Sequence, residues 1–157
     1  MKIKVFCMGK TSDSYLKQEL YNYLQRINRM TSIEWVELKD VPNSARLPVD
    51  ELKKKEAELI LKNLSGRSFS VLLDERGKEM TSRELSRFFD KIKVEGTSEI
   101  FFVIAGAYGA DEKVKKIVSM QLSLSKMTFT HQMIRLLFLE QIYRALAISR
   151  GLPYHHD

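Results

Sequence analysis

Cysteine occurs once in this 157-residue sequence, at Cys7, and proline three times. No apolar run approaches the roughly 20 residues that cross a bilayer as a helix. A single thiol excludes a disulfide framework within the chain, and its place in the run Val5-Phe6-Cys7-Met8 gives it the character of a small buried hydrophobe. Arg135, Glu140, Arg144 and Arg150 interrupt the most apolar helix, so no spanning segment is expected. The apolar stretch around Lys2 and Lys4 is far shorter than a signal-peptide core and has no small-residue cleavage site, which makes the cytoplasm the expected address. Repeats, low-complexity segments and linkers are also missing. With 44% apolar side chains the chain can build one core and not two, so residues 1–157 are expected to form a single domain.

Basic residues exceed acidic ones by 26 to 20, a formal charge of +6 that favours an anionic partner such as nucleic acid. The charge is spread along the chain in no long block, a pattern equally compatible with a solvated basic surface.

The hydropathy pattern predicts alternating strands and helices. Residues 2–8 read as a buried strand ending at Gly9. Tyr15, Leu16, Leu20, Tyr23, Leu24 and Ile27 recur at helical spacing, with Ser12 or Asp13 available as a cap. A second strand is expected at 33–38, a loop at 40–48, and a Lys/Glu-rich helix at 49–64 burying Leu52, Leu59, Ile60 and Leu64. The strand 69–74 should end in a polar turn, Glu75-Arg76-Gly77-Lys78. Thr81-Ser82-Arg83-Glu84 fits a capping box before a helix that buries Leu85, Phe88, Phe89 and Ile92. Gly96 ends that helix, and Glu99 to Ile104 is a strand apolar enough to be covered on both faces. A helix over about 111–120, a short strand at 122–124 and a long helix from near Thr130 to Arg150 complete the order. The fold class is therefore α/β, a mostly parallel sheet of five to six strands with helices on both faces, whose ligands bind at the carboxyl ends of the strands.

Three strand-end segments concentrate polar or glycine-rich residues: the one after Leu73-Asp74, the turn Gly106 to Gly109, and Ser123 to Thr130. Gly106 and Gly109 let a ligand approach the backbone closely, although their spacing equally suits a plain tight turn. The polar run Ser123, Ser125, Thr128, Thr130 and His131 can recognise a nucleobase edge or can cap the next helix. A dinucleotide fingerprint would need its glycines after the first strand, and Gly9-Lys10-Thr11-Ser12 lacks the upstream glycine of a phosphate-binding loop. A metal site is not expected. Adjacent His155 and His156 point apart in most backbone conformations, and His131 has no carboxylate partner at ligand spacing.

The segments FVIAGAYG, SLSKMTFTHQMIR, LLFLEQIYRA and GLPYHH, with LDERGK before them and KIKVFCMGK at the start, resemble the RlmH family of SPOUT methyltransferases. The resemblance implies a C-terminal trefoil knot, a homodimer, S-adenosylmethionine as methyl donor, and as substrate a pseudouridine of 23S ribosomal RNA, methylated at N3 on the assembled ribosome. It places donor contacts on Leu73, Gly106, Ser125, Lys126, Met127, Thr128, Phe129 and Thr130. Where the family usually has a glycine pair this chain has Ala105-Gly106, and His156 stands where a basic residue is common. Catalytic roles fall on Arg144 as an electrostatic stabiliser, Tyr154 as a stacking or orienting group, and His155 as the base or hydrogen-bond partner. The residues alone give Arg144 a simpler part too, an i,i+4 pair with Glu140 contributing about 0.2–0.5 kcal/mol. Met133, Ile134, Leu136, Leu137, Phe138, Leu139 and Ile142 ring nearly the whole last helix, so it is either fully enclosed or partly covered by a second subunit, and a chain this small offers limited enclosure. A non-catalytic ribosome-binding protein and a nucleotide-binding oxidoreductase are the competing functions.

Overall fold

Strand β1 (Lys2–Met8) lies inside the sheet because it is apolar on both sides. Ile3, Val5 and Cys7 enter one core, Phe6 and Met8 the other. The computed structural model describes residues 1–64 and 69–154. After β1 come α1 (Ser14–Asn28), β2 (Ile33–Leu38), a 3-10 turn (Ser44–Arg46), α2 (Val49–Asn63) and β3 (Phe69–Glu79). Then follow α3 (Ser82–Val94), β4 (Glu99–Ile104), α4 (Glu112–Ile117), β5 (Met120–Ser123) and α5 (Met133–Ser149). The five strands order as β2-β1-β4-β3-β5, and every neighbouring pair is parallel. The first core gathers α1, α3 and α5 on one face, with Leu20, Leu85, Phe89, Phe138 and Ile142 over Val71 and Phe102. The second places α2 and α4 on the opposite face, with Ala57, Ile60 and Val114 over Leu72, Phe101 and Val103. This is the expected α/β architecture with both sheet faces covered.

Local side-chain caps start helices α1 and α3. Asp13 accepts from the N–H groups of Tyr15 and Leu16 at the start of α1. Thr81 and Glu84 form the reciprocal capping box of α3, satisfying two otherwise unpaired donors. Tyr15 does not join the buried stripe of α1 and stands 77% exposed. The expected polar turn at 75–78 is instead the second half of β3. After a register shift between Leu73 and Lys78, Lys78 and Glu79 pair with Leu122 and Ser123 of β5. Gly77 makes this possible, since a Cβ there would lie 2.7 Å from backbone atoms of Gln121 and Leu122. A glycine inside a strand marks such a close backbone approach. Because β5 takes up Met120, α4 is a shorter helix than expected. Helix α5 begins at Met133 after a turn in which Thr130 receives the N–H groups of Met133 and Ile134.

Candidate donor-binding site

The bulged middle of β3 and the loops at the carboxyl ends of β4 and β5 enclose a pocket of about 460 Å³, within the range of small-molecule sites. One wall comes from Leu73 to Arg76, a second from Ile104 to Ala110, and a third from Leu122 to Ser125 with Met127, Thr128 and Phe129; His131 and Ile134 close it. Strand β3, between β4 and β5, brings these loops together.

Gly106 is tightly constrained. The carboxylate of Glu56, on α2, occupies the place where a Cβ at 106 would stand, with Oε1 at 2.5 Å from it, and accepts the Gly106 N–H. Partial burial, then the charge of Asp40, hold the Glu56 carboxyl above the usual range, against the Gly106 N–H and Lys53. On the other wall Asp74 pairs with Lys115 of α4 at 3.1 Å, both side chains mostly buried. Burial works to raise the Asp74 carboxyl, but the Arg76 N–H and Lys115 outweigh it and hold it below its ordinary value. Burial and the charge of Arg135 depress the imidazole of His131, with Asp40 opposing, so His131 enters the pocket wall as a neutral ring at neutral pH. The loop before α5 is held from within by Ser123 Oγ on the Ser125 carbonyl and Ser125 Oγ on the Met127 N–H, and from β3 by Glu75 on the Thr128 hydroxyl.

Of the expected donor contacts, Leu73, Gly106, Ser125, Met127, Thr128 and Phe129 line this pocket. Lys126 points elsewhere, its side chain 87% exposed and 3.8 Å from Glu79, and Thr130 serves the approach to α5. His131, part of the polar run noted before the last helix, lines the pocket, as do Asp74 and Lys115, which the sequence pattern did not single out as contacts. Lys115 had the look of a solvated helix lysine, and only its position after the glycine turn could have marked it.

Arg144 and Tyr154 form a separate cluster. Glu140 accepts from Arg144 Nη2 at 2.6 Å, and the guanidinium lies over the Tyr154 ring at 4.9 Å. Tyr154 stacks edge-on to Tyr143 and faces the hydroxyl of Tyr23 at 3.4 Å. Burial first, then Tyr23 and Glu140, push the Tyr154 phenol up to about 12 against the pull of Arg144. It is therefore a hydrogen-bond donor and not a base at neutral pH. His155 and His156 lie outside the described residues. Burial likewise raises the Cys7 thiol, which leaves it inert. Among the described residues, no group of three or more His, Cys, Asp or Glu could hold a metal, and no helix is long and apolar enough to cross a membrane.

A family model described as "Predicted SPOUT methyltransferase" matches residues 1–155. A Parabacteroides distasonis protein named ribosomal RNA large subunit methyltransferase H is 43% identical over 157 residues, the whole of both chains. A Geotalea daltonii protein of the same name is 42% identical over 99% of this chain and 100% of its own. In three dimensions, the crystal structure of a probable methyltransferase from Bordetella pertussis aligns with a TM-score of 0.58 at 10% identity, over 92% of this chain and 96% of that one. That last likeness speaks for the fold alone.

Proposed function

The chain belongs to the SPOUT methyltransferase family, and on that premise we propose that it methylates N3 of a pseudouridine in 23S ribosomal RNA, with S-adenosylmethionine as the donor. The pocket between the bulge of β3 and the ends of β4 and β5 is the observation that carries the reading. Its apolar wall of Ile104, Leu122 and Ile134 suits a flat heterocycle, while Gly106 and the loop from Ser125 to Phe129 offer backbone and hydroxyl groups to its edge. When bound there, the donor supplies an activated methyl group. The walls exclude water and fix the direction of approach, and alignment of this kind can contribute roughly 7–11 kcal/mol toward lowering a barrier.

Arg144 and Tyr154 stand apart from that pocket. Ile134 is in the pocket wall and Arg144 lies ten residues further along α5, a rise of about 15 Å. This separation supports a homodimer in which one copy's Arg144 and Tyr154 face the other copy's pocket. Met133 at 43% exposure, with Leu137 and Tyr143 partly exposed on the same helix, is apolar surface available for such cover. Glu140 holds the Arg144 guanidinium in a fixed orientation to stabilise negative charge on the target base. Tyr154 donates its hydroxyl proton or stacks. His155 is the candidate to take the ring proton of N3. Family membership also carries the C-terminal trefoil knot, and a ribosomal substrate puts the protein in the cytoplasm.

Titration calorimetry with S-adenosylmethionine, set against NADH, tests the donor. Mass mapping of ribosomal RNA from cells with and without the gene tests the substrate. Absence of donor binding together with unchanged ribosomal RNA would overturn the reading.

A further inference from the structure

An arginine with no solvent exposure sits just behind the pocket. Arg135, in the first turn of α5, is 0% exposed, and its guanidinium reaches four groups on three segments. Nε donates to the His131 carbonyl at 3.1 Å, Nη1 to the Thr11 hydroxyl at 2.9 Å, and Nη2 to the Met8 carbonyl at 2.6 Å. Glu37, on β2, lies 3.7 Å from Nη1 and accepts the hydroxyl proton of Thr11, which is itself 1% exposed. Gln132 adds two bonds to the same loop, accepting from the Ser12 N–H and donating to the Lys10 carbonyl. The ends of β1 and β2 are thereby tied to residues 131–135.

A buried ion pair is weak evidence for stability, because apolar side chains of similar volume often serve as well. What this one does is set position. His131 is in the pocket wall and closes the loop that supplies Ser125, Met127, Thr128 and Phe129. That loop is pinned at its start by Ser123 and in its middle by Glu75. Its far end is held by Arg135 through the His131 carbonyl.

We infer that the Glu37–Thr11–Arg135 network is a clamp that fixes the far end of the donor loop against the ends of β1 and β2, making these three residues positioning residues for donor binding. The inference rests on the proposed donor site, but its mechanical part can be read without a donor.

Three variants of the full chain, Glu37→Gln, Arg135→Met and the milder Thr11→Val, with Arg135→Lys as the conservative control, are digested with trypsin under native conditions. Cleavage after Lys126, in the loop, is compared with cleavage after Lys91, within α3, which reports global opening. The clamp predicts that cleavage after Lys126 accelerates on the order of tenfold relative to Lys91, with Thr11→Val least affected. Under saturating RNA it further predicts a KM for S-adenosylmethionine raised roughly tenfold, equivalent to about 1.4 kcal/mol, with kcat within about twofold. Arg135→Lys, which keeps a donor, should show a smaller effect than Arg135→Met. Variants that melt earlier yet keep the parental Lys126-to-Lys91 ratio would overturn the inference. So would variants with an unchanged donor KM. If the parent protein takes up no S-adenosylmethionine, the proposed function fails, and the cleavage ratio alone still decides whether the clamp exists.

Discussion

The carboxylate of Glu56 stands in the volume that a Cβ on residue 106 would need, with Oε1 only 2.5 Å from that point. A helix on one face of the sheet and a loop at the end of β4 therefore share one space, and Glu56 can stand where it does because residue 106 has no Cβ.

Gly106→Ala should push the Glu56 side chain aside and break its bond to the 106 N–H. The obstacle is the end of a flexible side chain, so the fold survives, and melting should shift by only a few degrees. Affinity for S-adenosylmethionine should fall roughly tenfold or more in titration calorimetry, since the loop loses the bond that holds it against α2.

Glu56 also has a pH signature. Its carboxyl is raised above the ordinary value of 4.5 by burial first and by Asp40 second. The native chain therefore keeps this proton over an interval where the unfolded chain has released it. The contribution is fully present below the unfolded value, is lost as pH rises through the folded one, and is constant above that. Glu56→Gln removes this decline. Urea midpoints compared from about pH 4 to about pH 7 should diverge progressively in favour of the variant.

Gly77→Ala meets backbone instead of side chain, 2.7 Å from Gln121 and Leu122. The β3–β5 pairing cannot yield cheaply, so the substitution should destabilise by about 1–3 kcal/mol, as overpacking does. A denaturant titration with an unchanged slope and a lower midpoint is the expected readout.

Arg144→Ala should slow methylation while leaving donor binding near the parental value. Mixed in equal amounts with Gly106→Ala and allowed to exchange subunits, it should recover up to about a quarter of parental activity if the proposed homodimer forms, because half the dimers would then hold one intact composite site. Recovery of nothing beyond the sum of the two variants would place both functions within a single chain.

Much of this architecture was legible in side-chain pattern. The apolar runs of β1 and β4, the capping box at Thr81 and Glu84, and the helical spacing of Leu16, Leu20 and Ile27 are local signals that the fold obeys. The second half of β3 was not, because Glu75-Arg76-Gly77-Lys78 has the chemistry of a turn. Its strand character comes from pairing with β5, a partner more than 40 residues away. Tyr15 fitted the apolar stripe of α1 by spacing, yet sits on the first turn, where the core does not reach.

At the site, Leu73, Gly106 and the loop from Ser125 onward followed from strand-end position and family resemblance. Glu56 was hidden in a Lys/Glu-rich helix, where a carboxylate is normally solvated. Arg135 counted only as a charge interrupting an apolar helix. Its partners Thr11, Met8 and Glu37 come from the other end of the chain, and no local pattern announces such a meeting.

An all-parallel sheet of this order also constrains how the protein can be born. No two neighbouring strands are joined by a hairpin, and β1 waits for its inner neighbour until residues 99–104 have been made, Lys2 aligning with Glu99. Contacts between such distant stretches form late and slowly. During synthesis the sheet's centre can therefore close only once β4 has emerged, and the pocket walls are complete only when the segment up to Ile134 has followed.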